Sequence, residues 1–389
     1  MSGNVWMTKV RIGIMIAVFA LIALFFVGVN FYVGNRLFRW LSSLFPYMGK
    51  AGFTIAFAFV ASTIVLGFLP LPSAVRGIFS WISAHWIGLF LYLFLFFLAT
   101  DLLLFIGRIV RLIPSSIMQN ARFYSGTIAV LLALGVVSYG LYNANQIKYV
   151  SYDIQTNKPI AEEMKIVFIA DLHLGSTNSE GRLEGIVQGI NSLNPDLVCM
   201  VGDVFNDDYY AIRDPEAASA VFKMIESRYG VFACFGNHDG GKTMREMMDF
   251  LERSNVRLLN DEYVIIDDRL VLVGRLDSSP IRGFGELKRK SFTEVKAQMD
   301  TNLPVVVMDH NPANIDQYGS DVDLILSGHT HRGQLFPGSI ITGLMYTVHY
   351  GYYQKDSASP HCIVTQGVGT WLIPMCIGSD NEIASVMIR

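Results

Sequence analysis

The feature that most constrains this chain is a series of long apolar stretches within its first 150 residues. Apart from one aspartate, Asp101, four of these stretches contain no Asp, Glu, Lys or Arg. A helix needs about 20 apolar residues to cross the hydrocarbon core of a bilayer, and each stretch has roughly that length. We therefore predict four transmembrane helices. They cover Ile12–Gly34, Ala51–Leu69, Trp81–Phe105 and Ser125–Ala144.

The charge distribution divides the chain near residue 150. Residues 1–150 hold ten Lys and Arg against one acidic residue, whereas the remainder holds 20 basic and 32 acidic residues. All four Cys and seven of the eight His lie in the second part. We predict a membrane domain over residues 1–150 and a second domain over residues 151–389. The negative charge of the second domain argues against nucleic acid as a partner, because it repels a polyphosphate backbone.

Basic residues that flank the predicted spans indicate how the chain is oriented in the membrane. Five lie on the face that carries the amino terminus and the second domain, and six lie on the other face. The first set is Lys9, Arg11, Arg76, Lys148 and Lys158, and the second is Arg36, Arg39, Lys50, Arg108, Arg111 and Arg122. Since cytoplasmic segments carry an excess of Lys and Arg, this favours a multi-pass protein of the cell membrane with an extracytoplasmic second domain.

Asp101 is the one acidic residue of the first 150, and a charge inside a membrane span is costly. Because Asp101 lies near the end of its span, we expect it to reach the headgroups or to pair with Arg108 or Arg111. A role in transport or gating is the alternative. Asn143, near the end of the last span, is also expected at the interface.

From Lys165 onward, short β-branched runs alternate with charged helical stretches, a pattern typical of an α/β domain rather than a helical bundle. The predicted strands are Lys165–Ala170, Leu197–Val201, Val231–Phe235, Val305–Met308 and Leu324–Leu326. The predicted helices are Gly181–Leu193, Pro215–Ser227 and Thr243–Ser254. A β-hairpin is predicted over Tyr263–Ile266 and Leu270–Gly274.

Each of the five predicted strands is followed by a polar cluster. In chain order the clusters are Asp171-Leu172-His173, Gly202-Asp203, Gly236-Asn237-His238-Asp239, Asp309-His310 and Gly328-His329-Thr330-His331. The loops at the carboxyl ends of strands in an open α/β sheet gather at one crevice, so we expect these side chains to converge there. Carboxylate, imidazole and amide ligands without thiolate suit manganese, iron or zinc, and they argue against a structural zinc site.

The ordered set D-x-H, G-D, G-N-H-D, a lone His and G-H-T-H resembles the calcineurin-like metallophosphoesterase superfamily. The resemblance covers about residues 160–389. With the predicted spans before it, the run over residues 326–334 looks most like the bacterial membrane-anchored branch. The resemblance implies a four-layer α/β/β/α sandwich and a metal-dependent phosphohydrolase.

The resemblance also implies two divalent metal ions, with manganese as the first expectation and iron, zinc or magnesium as alternatives. The implied ligands are Asp171, His173 and His331 for the first ion, Asn237, His310 and His329 for the second, and Asp203 as a bridge between both. Two ions about 3.5–4 Å apart can lower the pKa of a shared water. The resulting hydroxide would attack a phosphoester or pyrophosphate in line.

His238 and Asp239 are the catalytic residues that the resemblance implies. The His238 imidazole can stabilise phosphate charge or protonate a leaving oxygen, with Asp239 or Asp171 orienting its other ring nitrogen. We expect His85 and His361 outside the site. Of the histidines outside the motifs, only His349 is expected near it.

Four spans exceed what a simple tether requires, which favours a lipid-linked or amphipathic phosphorylated substrate and makes the lipid bilayer the expected partner. One alternative is a phosphodiesterase or phosphatase for soluble nucleotides or phosphoproteins. Another is a non-enzymatic transporter or sensor whose second domain only binds metal. The oligomeric state is left open.

Two segments and the cysteines allow more than one interpretation. Tyr346–Tyr353 could line an apolar substrate channel, rest on lipid headgroups or form a plain hairpin. Residues 275–302 could bind an anionic headgroup or form a solvated helix face; their basic residues include Arg282, Lys288, Arg289, Lys290 and Lys296. The cysteines are expected as free thiols, with a Cys362–Cys376 pair as the alternative.

Overall fold

The chain folds as two units in the computed structural model, which describes residues 2–67, 69, 71–175, 180–297, 299 and 302–389. The units are Met1–Ser138 and Tyr139–Arg389. The boundary predicted at residue 150 falls within the first β-strand of the second unit, because that strand begins at Ile147.

The first unit is built from apolar helices. They are α1 (Ser2–Leu44), α2 (Lys50–Leu66), α3 (Ser73–Ile109) and most of α4 (Met118–Asn143). In the described part of the chain, three stretches are long and apolar enough to cross a membrane, namely Ala20–Leu44, Val75–Ile109 and Met118–Asn143. By this measure the predicted count of four is one too high, because the predicted span Ala51–Leu69 forms α2, which has only 17 residues.

Asp101 pairs across helices, not along its own helix. Its carboxylate accepts a hydrogen bond from the Tyr32 hydroxyl at 2.7 Å and lies 3.2 Å from a guanidinium nitrogen of Arg36. Both partners belong to α1. The expected pairing with Arg108 or Arg111 is therefore wrong, because Arg108 lies about two turns further along α3 and Arg111 lies beyond the end of that helix.

The second unit contains two six-stranded sheets among its described residues. The first has the order β1 (Ile147–Ile154), β12 (Asn381–Ile388), β2 (Met164–Ile169), β3 (Leu197–Val201), β4 (Val231–Cys234) and β5 (Val256–Leu258). The second has the order β10 (Gly351–Tyr353), β11 (His361–Val364), β9 (Leu324–Ser327), β8 (Val305–Met308), β7 (Leu270–Gly274) and β6 (Glu262–Ile266). Strands β2 to β5 run parallel to one another, and so do β7, β8, β9 and β11.

Alternate residues of the strands face two different cores. In β2, Phe168 packs between the sheets with Leu272 of β7 and Met308 of β8. Val167, one residue earlier, packs against the outer helices of the first sheet. Those helices are α5 (Leu183–Ser192), α6 (Pro215–Phe222) and α7 (Met244–Arg253), while α8 (Phe292–Lys296) packs on the second sheet. The architecture is the α/β/β/α sandwich that was predicted.

Most predicted elements of the second unit are present with small shifts at their ends. The five strands, the hairpin and the three helices all form, and the largest difference is α6, which ends at Phe222 instead of Ser227. Two elements that adjoin the functional site were not predicted from the sequence. They are the long strand β12, which pairs with both β1 and β2, and the helix α9 (Gly338–Met345).

The last turn of α4 is bonded into the second unit. The side-chain amide of Asn143 donates to the carbonyl oxygens of Cys376 and Ser379 at 3.2 and 2.9 Å. Gly140 lies so close to Ile377 that a Cβ at Gly140 would come within 2.6 Å of it. Asn143 is therefore a buried bonding residue and not the interfacial residue expected from the sequence.

Candidate metal centre

The polar clusters converge at the carboxyl ends of the strands, as the strand pattern predicted. Six of the side chains form two groups whose potential ligand atoms lie within 4.8 Å of one another in each group. The first group is Asp171, His173 and His331, and the second is Asp203, His310 and His329. Asn237 adjoins the second group, because its side-chain oxygen lies 2.7 Å from His329 Nδ1.

In the first group the potential ligand atoms face one another. His173 Nε2 lies 3.1 Å from His331 Nε2, which in turn lies 3.4 Å from Asp171 Oδ1. All three side chains are buried. Two imidazole nitrogens that point at each other beside a carboxylate favour a positive charge between them, either a proton or a cation.

Asp203 connects the two groups. Its Oδ2 lies 3.1 Å from His310 Nε2 in its own group and 3.9 Å from His173 Nε2 in the other. Asp171 Oδ1 also lies 3.9 Å from His310 Nε2, so the groups adjoin on two sides. A carboxylate between two sets of ligands is placed as a bridging ligand requires.

The hydrogen bonds of His310 show whether these residues suit a metal. His310 Nδ1 lies 2.8 Å from the carbonyl oxygen of Val201, which can only accept, so Nδ1 carries a hydrogen. The other nitrogen, Nε2, is buried and faces Asp203 Oδ2 at 3.1 Å and Asp171 Oδ1 at 3.9 Å. An imidazole that is oriented through one nitrogen and turns the other towards carboxylates is the usual state of a metal ligand. With carboxylate and amide oxygens beside it, the donor set fits a divalent ion.

Burial keeps most of the imidazoles neutral, which is the form that binds metal. It lowers the pKa of His173 and of His331, and it lowers that of His329 to about 3. Burial acts in the same direction on His310, but the Asp203 carboxylate outweighs it and raises the pKa of His310 well above its usual value. The space around Asp203 therefore attracts positive charge.

The ligand residues occupy unusual backbone conformations. Five of them have φ values between 46° and 73°, namely Asp171, His173, Asp203, His329 and His331. Left-handed conformations of this kind cost on the order of 1–3 kcal/mol when the residue is not glycine, and they concentrate at functional sites. Position 236 also requires glycine, because a Cβ there would lie 2.3 Å from Asp203 Oδ1.

His238 lies beside both groups and is oriented by Asp207. Its ring centre is 5.1 Å from that of His173, and its Nδ1 donates a hydrogen bond to Asp207 Oδ1 at 3.0 Å. The expected orientation by Asp239 or Asp171 is thus not the one in the structure. A second acid four residues after Asp203, on the same loop, is the sequence signal that could have indicated Asp207.

Asp239 bonds to the backbone and not to His238. Its buried carboxylate accepts hydrogen bonds from the backbone amides of Phe205 at 2.8 Å and Gly236 at 2.7 Å. Burial and the charge of Asp203 raise the pKa of Asp239 to about 7. The residue ties the loop after β3 to the loop after β4, so its geometry favours a positioning role over the catalytic role implied by the resemblance.

The aromatic segment Tyr346–Tyr353 lies against the site at its first residue. The ring of Tyr346 is 6.1 Å from that of His329, and the Thr330 hydroxyl donates to the backbone carbonyl of His349 at 2.5 Å. The end of the segment is β10, which pairs antiparallel with β11. The segment therefore combines a hairpin strand with one aromatic side chain at the site.

The basic segment over residues 275–302 is bonded to acidic residues of the same unit. Arg289 contacts both carboxylate oxygens of Asp309 at 3.2 and 2.6 Å. Arg282 is exposed, and its guanidinium lies 3.8 Å from Asp207. The described part of the segment thus includes α8 and pairs several of its cations with acidic residues, and Arg282 lies beside the acid that orients His238.

The remaining histidines and the cysteines lie apart from the ligand groups. His85 belongs to α3, and the His361 ring bonds to the Tyr352 hydroxyl at 2.8 Å. All four cysteines are free and buried, so the alternative Cys362–Cys376 pair does not form.

The positioning role of Asp239 is testable by an isosteric change. We expect Asp239→Asn to destabilise the protein by about 1–3 kcal/mol, because the new amide nitrogen would face a backbone donor and leave it unsatisfied. Thermal unfolding of the purified protein in detergent measures this. Asp268→Asn is the matched control, since Asp268 is exposed in a hairpin turn with positive φ, which asparagine tolerates. Equal stability of the two variants would contradict the role.

Comparison with known proteins agrees with this geometry. Residues 164–333 match the family model of the calcineurin-like phosphoesterases. An uncharacterised metallophosphoesterase of Aquifex aeolicus is 30% identical over 67% of this chain and 98% of its own length. A Danio rerio protein, named as a transmembrane protein with a metallophosphoesterase domain, is 28% identical over 80% of this chain and 74% of its length.

The similarity also extends over the apolar helices. An uncharacterised metallophosphoesterase of Campylobacter jejuni is 25% identical across 96% of this chain and 98% of its own length. The Aquifex protein is matched over nearly its whole length. The chain therefore belongs to the calcineurin-like phosphoesterase family and is a phosphoester hydrolase.

Proposed function

We propose that this protein uses two divalent metal ions to hydrolyse a phosphate ester or pyrophosphate of a lipid-linked or amphipathic substrate at a membrane surface. The observation that carries the proposal is the position of Asp203, whose carboxylate lies near imidazoles of both ligand groups. One group would serve one ion. Two adjoining groups of oxygen and nitrogen donors provide for a pair.

The ligands divide between the ions according to these groups. Asp171, His173 and His331 would hold one ion, Asn237, His310 and His329 the other, and Asp203 both. When bound, the ions supply Lewis acidity and lower the pKa of water towards neutrality. The mixture of carboxylate, amide and imidazole donors suits manganese, with iron, zinc or magnesium as alternatives.

His238 is placed to act on the phosphate. Because its Nδ1 hydrogen is donated to Asp207, Nε2 is the atom available to a substrate. Burial lowers the pKa of His238, but the hydrogen bond to Asp207 and the charge of Asp203 outweigh burial and raise it. The imidazolium form is thereby favoured, and its Nε2 can donate a hydrogen bond to the phosphate or a proton to the leaving oxygen.

A lipid-linked substrate is supported by the short connection between α4 and the first strand of the phosphoesterase unit. Three residues, 144–146, separate the end of α4 from the start of β1. The phosphoesterase unit is therefore held within a short length of chain from a helix of membrane-spanning length. Such a short connection serves a substrate that is itself in the bilayer, whereas a soluble nucleotide or phosphoprotein gains nothing from it.

The metal requirement is tested with purified full-length protein. We expect hydrolysis of bis(p-nitrophenyl) phosphate or p-nitrophenyl phosphate to require added divalent metal, manganese first, and to stop with chelator. Asp203→Asn is expected to reduce turnover at least about 100-fold and to lower the number of manganese ions bound, measured by calorimetry. Asp268→Asn is the control that keeps both. Activity that survives Asp203→Asn would remove the two-metal site.

The same preparation distinguishes the substrate classes. Lipid monophosphates and lipid pyrophosphates in mixed micelles are compared with nucleotides, cyclic nucleotides and a phosphopeptide. We expect higher kcat/KM on the lipids. Turnover confined to the soluble compounds would refute the lipid-linked substrate and leave the metal chemistry intact.

The catalytic role of His238 can be tested separately from metal binding. We expect His238→Ala to lower kcat by about 10²–10⁴-fold while manganese affinity stays unchanged, because His238 belongs to neither ligand group. Asp207→Asn should give a smaller loss. Since Asp207 raises the pKa of His238, its removal should shift the fall of activity on the alkaline side to lower pH. His361→Ala is the control, because His361 bonds to Tyr352 and lies apart from the ligand groups. A parallel loss of manganese binding in His238→Ala would show His238 to be a ligand instead.

We place the phosphoesterase unit on the extracytoplasmic face. Arg36 and Arg39 near the end of α1, Arg108 at the end of α3 and Arg122 at the start of α4 line one cavity of about 350 Å³. These arginines place the end of α1, the end of α3 and the start of α4 on one side of the first unit. A concentration of arginine marks the cytoplasmic side, and α4 carries the chain away from it.

A topology reporter tests this assignment. A reporter fused after Arg389 should give an extracytoplasmic signal, and one fused after Ser116, between α3 and α4, should give a cytoplasmic signal. The second fusion is the internal control, because it lies beside the arginine residues. A cytoplasmic signal from the first fusion reverses the assignment.

A further inference from the structure

The second unit carries an exposed apolar surface, here called the apolar ridge. The apolar ridge consists of Ile340, Ile341, Leu344, Met345, Trp371 and Leu372. The first four belong to α9, whose sequence contains no charged residue. Their spacing of four places them on one face of the helix, and they are strongly exposed, Leu344 by 84% and Met345 by 69%. Four exposed apolar side chains on one helix face mark a surface that contacts something other than water.

The apolar ridge is held in place by hydrogen bonds. The side-chain amide of Gln334 donates to the carbonyl oxygens of Trp371 and Ile373 at 3.1 and 2.6 Å, and its oxygen accepts from the Trp371 amide at 2.9 Å. Leu372 takes a left-handed conformation with φ 57° and is exposed. An apolar side chain displayed at the cost of backbone strain indicates that the exposure has a function.

Both parts of the apolar ridge adjoin the candidate metal centre. Tyr346 follows α9 directly, and its ring lies 6.1 Å from that of His329. The ring of Trp371 lies 5.7 Å from that of His238. A surface that contacts the apolar ridge therefore lies next to the ligand residue His329 and next to His238, the residue proposed to act on the phosphate.

The apolar ridge is also joined to the last turn of α4. Leu335 bridges to Ile377, and the Phe336 amide donates to the Ile377 carbonyl at 2.7 Å, just before α9 begins. Ile377 in turn packs against Gly140. One residue thus links the segment that leads into α9 with the end of a helix that is long and apolar enough to cross a membrane.

We propose that the apolar ridge inserts into the lipid bilayer beside the end of α4. The proposal deepens the proposed function, on which it rests for the presence of a bilayer at this place. A lipid surface is the occupant favoured by the link to α4 and by the lack of charge on α9, which offers little to the polar rim of a protein interface. An interfacial helix typically enters the boundary between headgroups and acyl chains by about 5–10 Å.

Insertion of the apolar ridge favours phosphorylated lipids as the substrate class of the site. With α9 and Trp371 in the boundary layer, the neighbouring His329 and His238 face the level of the headgroups. A phosphate attached close to a lipid tail then reaches the ligand groups while its tail stays in the bilayer. The free-energy cost of moving the methylenes of the lipid tail into water is thereby avoided.

The depth of the ridge in the membrane is the decisive measurement. Full-length protein with Leu344→Cys is labelled with a polarity-sensitive fluorophore and reconstituted into phosphatidylcholine and phosphatidylglycerol vesicles. The four native cysteines are buried, so the introduced thiol is the reactive one, and unsubstituted protein gives the blank. We expect blue-shifted emission, quenching by lipids with a nitroxide on the acyl chain, and protection from aqueous iodide.

Met224→Cys is the matched control, because Met224 is an exposed apolar residue of the same unit, 55% accessible. Its label should respond to iodide and not to the nitroxide lipid. Iodide quenching at both positions overturns the proposal, and so does a blue shift at Leu344→Cys that follows protein concentration without nitroxide quenching, which indicates a second copy of the chain. The readout does not depend on turnover. If the protein hydrolyses none of the lipid phosphates, the proposed function fails, but the depth of the apolar ridge in the membrane can still be determined.

Discussion

The buried carboxylate of Asp203 is the interaction on which the rest of the structure depends. It approaches imidazoles of both ligand groups and accepts the backbone amide of His238 at 2.8 Å. Burial of a carboxylate costs folding free energy unless positive charge lies nearby. Asp203 therefore destabilises the fold when it is unpaired, and for the same reason it attracts cations. The structure tolerates it because Asp239 ties the two adjacent loops together and Gly236 leaves room for the side chain.

The sandwich explains why ligands from distant parts of the chain meet. Asp203 follows β3 of the first sheet and His310 follows β8 of the second, and the two approach because the sheets pack face to face through one apolar core. Strands buried on both faces leave their carboxyl ends as the place for polar side chains. The left-handed backbone of five ligands then turns these side chains inward. The packing that holds the two sheets together therefore also sets the geometry of the site.

Local patterns made much of this predictable. Each ligand follows a short apolar strand within a few residues, so motif and strand reinforce each other in the sequence. Contacts between distant residues carry no such signal: the pairing of β12 with β1 and β2, the choice of Asp207 for His238, and the partner of Asp101 on α1. The helix α9 escaped prediction because its exposed apolar face has the composition of a buried segment.

The last turn of α4, which belongs to the second unit, is connected to the metal centre through the first sheet. The Asn381 side chain, at the start of β12, donates to the carbonyl of Ala144 just after α4. Strand β12 pairs with β2, and Asp171 follows β2. The end of the membrane-length helix is thus fixed relative to a ligand residue by two hydrogen bond networks, the second being that of Asn143. The last turn of α4 and the ligand residue Asp171 therefore belong to one hydrogen-bonded part of the second unit.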